Sequence, residues 1–264
     1  MMDTYQVSIF LNNMRRKLLF GNWKMNKTRA ESLEFAKASV ELTDYAHKHN
    51  IDVGVAPVYL SLDVVKKENK NLIVAAQNCH FMDHGAFTGE ISIPMLQELN
   101  IDWVIIGHSE QRTYFGETDE SCNKKLLALE ANKMTPIFCV GETLEEFENG
   151  STKDVIKRQI TVGLNGLCKE FVEKMVIAYE PVWSIGTGKN ASKEIAEDIC
   201  SYIRGLVHEL YGSISENVRI LYGGSVKPEN VHDYLTQSDV DGALVGGASL
   251  KIDSFKQLVQ NIVD

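Results

Sequence analysis

Glu180 stands at the abrupt end of an apolar run, Met175 to Tyr179, and is followed at once by a proline. Pro181 cannot donate to a sheet ladder and biases the residue before it away from helix, so the chain leaves a strand here. The carboxylate therefore sits at the carboxyl end of that strand. The loop after it offers Trp183 as a large apolar body, with Gly186, Thr187 and Gly188 able to turn and present N–H groups to an anion. If such a loop closes and water leaves, the carboxylate becomes harder to keep charged and hence more basic. It could then take a proton from a carbon next to a carbonyl. A surface glutamate before an ordinary Pro/Gly loop has the same local composition.

Other groups able to do chemistry recur at the ends of apolar runs. Asn22 and Lys24 close the first, Leu18 to Trp23, and an ammonium set between Trp23 and Met25 needs an anion partner. His108 follows Gly107 and precedes Ser109-Glu110, a turn into a helix whose N–H groups disfavour a protonated ring. A neutral imidazole there would donate a hydrogen bond to a carbonyl oxygen, although a satisfied core histidine fits the same residues. Gly223-Gly224, followed by Ser225, and Gly246-Gly247 allow close backbone approach and suit a cradle of N–H groups for phosphate, though Gly-Gly alone is more often a turn. HExxH, a paired Asp cluster and a cysteine ligand set are all missing, so no metal is expected.

These groups must be held by a repeating scaffold. Short apolar runs at Leu18–Trp23, Val53–Ala56, Leu72–Ala76, Trp103–Ile106, Ile137–Val140, Val176–Tyr179, Arg219–Tyr222 and Ala243–Val245 alternate with helical patterns. Thr28 with Glu31 forms a capping-box pattern opening one helix up to Asn50, and Pro228 is placed near the first turn of another. Strands apolar on both faces are parallel strands buried under helices. Eight such units in about 250 residues suit a single closed (β/α)₈ barrel of parallel strands. Every candidate group then falls at a strand's carboxyl end, the face where barrel enzymes build their sites.

The chain has 264 residues, of which 44% are hydrophobic and 24% charged, which suits one large domain with a sizeable core. A formal charge of −9 without a basic patch argues against nucleic acid or an anionic membrane as partner. With no apolar run of membrane length and no secretory signal, a cytoplasmic protein is expected. Five widely spaced cysteines, without Cys-x-x-Cys, suggest reduced thiols. Residues 1–16 are taken as an N-terminal extension and 17–264 as the catalytic barrel. The segment Gln77 to Glu90 is long for a strand-to-helix connection, and Phe81, Met82 and Phe87 would make an apolar patch on it, which suggests a homodimer.

The blocks FGNWKMN, AFTGEIS, IIGHSEQRTYFGETDE, PIFCVGETL, AYEPVWSIGTGK, LYGGSV and GALVGGASL resemble the triosephosphate isomerase family, in its order, from about Lys17 to the end. The resemblance implies the TIM barrel of that family and interconversion of dihydroxyacetone phosphate with D-glyceraldehyde 3-phosphate, without cofactor, in glycolysis and gluconeogenesis. It implies Glu180 as proton shuttle, His108 as electrophile, Lys24 with Asn22 as electrostatic stabilisers, and Glu110 as partner of Lys24. Gly186, Ser225, Gly246 and Gly247 would bind the substrate phosphate. The segment 77–90, with Thr88 at its tip, would dock into a neighbouring subunit near that subunit's site. Two residues depart from the pattern: Ser184 stands where Ala is usual in the lid, and Gln111 where Arg is usual beside the catalytic helix. Another phosphate-binding barrel, such as an aldolase or epimerase, and a catalytically silent barrel acting as a binding protein are the competing readings.

Overall fold

The computed structural model describes residues 15–185 and 190–263. Most of the extension and residues Gly186, Thr187, Gly188 and Lys189, where a lid is expected, lie outside them. The described chain alternates strand and helix: β1 (Lys17–Asn22), α1 (Arg29–Ala38), α2 (Val40–Lys48), β2 (Ile51–Ala56), α3 (Leu62–Glu68), β3 (Ile73–Ala76), α4 (Ile93–Glu98) and β4 (Trp103–Ile106). It continues with α5 (Ser109–Phe115), α6 (Asp119–Ala131), β5 (Thr135–Val140), α7 (Leu144–Glu148), α8 (Thr152–Gly163), α9 (Lys169–Val172) and β6 (Val176–Tyr179). The last units are α10 (Lys193–Tyr211), β7 (Arg219–Tyr222), α11 (Val231–Leu235), β8 (Gly242–Val245) and α12 (Ile252–Val263).

Each strand pairs in parallel with the one before it, and β8 closes on β1 with Leu18 opposite Gly242 and Gly21 opposite Val245. The result is the (β/α)₈ barrel expected from the alternation. Side chains on alternate strand positions divide into two cores. Leu18, Phe20, Ala56, Ala75, Ile105, Ile137 and Leu221 fill the barrel interior, whereas Leu19, Val55, Val74, Val104 and Ile177 pack outward under the helices. Both faces of each strand are thus buried, the physical reason the strands read as apolar runs without alternation.

Several strand ends shift by one or two residues, and two helices differ more from expectation. The helical stretch after Thr28 is two helices, because the Ser39 hydroxyl donates to the Ala36 carbonyl and closes the first one. The predicted capping box is present at its start. Pro228 lies in a turn before α11, where the Lys227 N–H donates to the Asn230 side chain and delays the helix to Val231. At the barrel's opposite rim Arg15 pairs with Asp241 at 2.6 Å and Arg16 with Asp52 at 2.9 Å.

Candidate active site

The carboxyl ends of the strands surround a cavity of about 630 Å³ lined by Asn22, Lys24, His108, Glu180, Ser225, and the Gly223-Gly224 and Gly246-Gly247 pairs. Residues separated by more than two hundred positions in the chain thus face one space. Gly186 was expected beside them and lies outside the described residues. Glu110 does not line the cavity. It stands behind Lys24, accepting a hydrogen bond from Nζ at 2.8 Å, so it holds the ammonium rather than facing a ligand.

The turn after β1 sets Lys24. Its φ is +52°, a left-handed value disfavoured for a residue with a Cβ. Two side chains stabilise that backbone: Asn22 Oδ1 accepts the Lys24 N–H at 3.0 Å, and Gln77 donates to the Lys24 carbonyl at 2.8 Å and to the Ala56 carbonyl at 2.9 Å. Asn22 therefore shapes the turn as well as lining the cavity.

His108 caps α5, with Nδ1 accepting the Glu110 N–H at 3.2 Å. Its other ring nitrogen, Nε2, lies 3.0 Å from Glu180 Oε1. Burial lowers the imidazole pKa, and the adjacent Glu180 carboxylate more than offsets this, leaving it raised. A second ring proton would nevertheless break the bond from the Glu110 N–H. With Nδ1 accepting from the Glu110 N–H, Nε2 is the ring's donor and faces Glu180.

Glu180 is buried, and its Oε2 accepts the Ser109 N–H at 2.9 Å. Burial pushes its pKa up, but His108, the Ser109 N–H and Lys24 together hold it below the ordinary carboxylate value. The more basic carboxylate expected from the sequence is thus not the state seen here, because the resting carboxylate has partners. Bare backbone makes room for it. A Cβ on Gly223 would come within 2.8 Å of Glu180 Cγ, and one on Gly141 within 1.7 Å of the Glu180 carbonyl oxygen.

Beyond Glu180 the chain forms a short turn, Val182–Ser184, anchored by a residue the sequence reading missed. Glu142 is buried and accepts from Trp183 Nε1 at 2.8 Å and from the Tyr179 hydroxyl at 3.1 Å, while Trp183 stacks on Phe147 with ring centroids 4.3 Å apart. Burial pushes the Glu142 carboxyl up against the lowering effect of these donors. Its only local signal was a carboxylate just past an apolar run, before the Thr143–Glu146 capping box. Gln77 was similarly noted only as the start of the long segment, although it fixes the Lys24 turn.

The family model described as triosephosphate isomerase matches residues 17–262. Among curated relatives, the triosephosphate isomerase of Clostridium perfringens (strain SM101 / Type A) is 52% identical over 249 residues, covering 93% of this chain and 99% of that protein. That of Streptococcus mutans serotype c is 52% identical over 248 residues, covering 93% and 98%. The Carboxydothermus hydrogenoformans protein of the same name is 49% identical over 254 residues, covering 95% and 100%. A matched barrel of nearly full length, carrying these side chains around one cavity, belongs to an enzyme of the triosephosphate isomerase family.

Proposed function

We propose that this enzyme interconverts dihydroxyacetone phosphate and D-glyceraldehyde 3-phosphate, with Glu180 moving a proton between adjacent carbons. The observation that supports this most is the convergence of a buried carboxylate, an imidazole and an ammonium on one cavity flanked by two Gly-Gly turns. A base, a hydrogen-bond donor and a cation are the groups needed to form and stabilise an enediolate.

Glu180 takes a proton from C1 of dihydroxyacetone phosphate, and the C–H electron pair moves into the C1–C2 bond as the C2 carbonyl oxygen gains charge. His108 Nε2–H and the Lys24 ammonium stabilise that oxygen. After the hydroxyl proton passes from O1 to O2, Glu180 returns its proton to C2, leaving an aldehyde at C1. A substrate carbonyl accepting from His108 Nε2 competes with the present Glu180 contact. Releasing that contact from a buried carboxylate raises its basicity at the moment it must act. Ser225 and the N–H groups of Gly246 and Gly247, with Gly186 from the lid, bind the phosphate.

The enzyme works as a homodimer through the segment 77–90. Exposed Phe87, which packs on His80, and exposed Tyr114 and Phe115 support this, since His80 and Phe115 line one hollow beside the segment. Its place is in glycolysis and gluconeogenesis in the cytoplasm. A coupled isomerase assay on purified protein tests the reading: turnover of both triose phosphates without added metal or cofactor is the expected result, and an inert protein would refute it.

A further inference from the structure

His108 can act on a substrate oxygen only if the residue before it is fixed, and Gly107 is held at both of its peptide groups. The Gly107 N–H donates to Glu117 Oε2 at 3.0 Å, and its carbonyl accepts from Arg112 Nε at 2.8 Å. Gly107 has φ +75°, and an added Cβ would meet the Cys139 carbonyl at 2.9 Å, so no other residue type could relieve the turn. The Arg112 side of the grip is itself held by Asp119 at 2.6 Å.

The Glu117 side depends on a buried cation. Lys125, on α6, is only 8% exposed, and its Nζ donates to Glu117 Oε1 and to Asn78 Oδ1, the latter at 2.9 Å. The Glu117 side chain is likewise buried, at 3% exposure. Asn78 then donates through Nδ2 to Gln111 Oε1 at 3.2 Å, and its Oδ1 also accepts the Cys79 N–H. One ammonium thus connects the segment after β3 to Gly107, the residue before His108. Neither Lys125 nor Glu117 lines the active-site cavity.

We propose that Lys125 is a positioning residue for the isomerisation: by holding the Glu117 carboxylate in place, it fixes the Gly107 peptide and with it the His108 ring. This rests on His108 acting as proposed above. Without the ammonium, a buried carboxylate loses its charge partner and turns toward water, and its bond to the Gly107 N–H weakens. An error of about 1 Å in a reacting group can cost about a hundredfold in rate. Because His108 is proposed to act on charge that develops in the transition state, the loss falls on kcat and leaves KM nearly unchanged.

The test compares the parent with Lys125→Met, with Lys125→Met/Glu117→Gln, and with Asn78→Ala. Each is assayed below its melting midpoint, at a concentration where light scattering gives the parent's mass. Lys125→Met should lose about tenfold or more in kcat with KM within about twofold. The double variant, whose neutral amide oxygen accepts the Gly107 N–H without needing a cation, should recover most of that loss. A purely structural lysine would lower the melting midpoint and leave kcat of the folded protein alone, which overturns the proposal. So does a well-folded double variant that stays as slow as Lys125→Met. If Lys125→Met does not fold, Asn78→Ala decides: a lower kcat at unchanged KM supports the relay, and parent-level kcat overturns it. An inactive parent would instead refute the isomerase reading, and the positioning role with it.

Discussion

His108 Nε2 and Glu180 Oε1 lie 3.0 Å apart across the barrel mouth, joining the ends of β4 and β6. The two groups proposed as donor and base hold each other at rest, and the Ser109 N–H holds the other carboxylate oxygen. This arrangement favours the charged form of the proposed base and holds it in place.

The resting partners of Glu180 predict a pH signature in stability. Its pKa is lowered in the folded chain, by His108, Ser109 and Lys24 acting against burial. The unfolded chain therefore takes up this proton first as pH falls. The stability contributed is present above the unfolded carboxylate value and is lost as pH drops through the lower folded value. Glu180→Gln should therefore have a thermal midpoint that declines less steeply than the parent's below about pH 5. Melting curves at a series of acid pH values check this, and parallel declines would contradict the assigned partners.

Trp183→Phe keeps the ring that stacks on Phe147 but removes the Nε1–H donor to Glu142. Glu142 would keep the Tyr179 hydroxyl, and its pKa, already raised by burial, should rise further. A loss on the order of 1 kcal/mol is expected for one hydrogen bond to a largely buried carboxyl. Denaturant titration measures it, and an unchanged midpoint would mean that the bond does not anchor the start of the lid.

Much of this site was legible because its groups occupy one kind of place. Glu180 before Pro181, His108 after Gly107, and Asn22 and Lys24 at the end of β1 each mark where a strand stops, and a barrel gathers strand ends on one face. The helix break at Ser39 was not legible, since it turns on one hydroxyl choosing a local carbonyl. Nor were Glu142, Gln77, Glu117 and Lys125. Each acts on residues tens of positions away or through a backbone group, and neither leaves a spacing pattern. The basicity of Glu180 was read for a closed, dry site, whereas the resting carboxylate is set by neighbours that only the fold brings near.

The proposed dimer predicts a dependence of activity on concentration. The exposed aromatic pair Tyr114 and Phe115 adjoins the hollow beside the segment 77–90, and covering them should order the turns that carry Lys24 and His108. Gln111, bonded here to Asn78, carries no charge to pair with Glu90 of a partner. The dimer should therefore be less salt-sensitive than one with Arg at this position. Light scattering combined with specific activity over a dilution series should show both falling together, and a fully active monomer would exclude the interface.

The most direct measurement is the turnover of Glu180→Gln in the isomerase assay, made on protein shown to be folded. An amide of the same shape can still contact His108 but cannot accept a carbon-bound proton. General-base contributions are about 10² to 10⁴-fold, and here proton transfer is the reaction itself, so kcat should fall by at least about that range. A folded Gln variant turning over at near the parent rate would contradict Glu180 as the base.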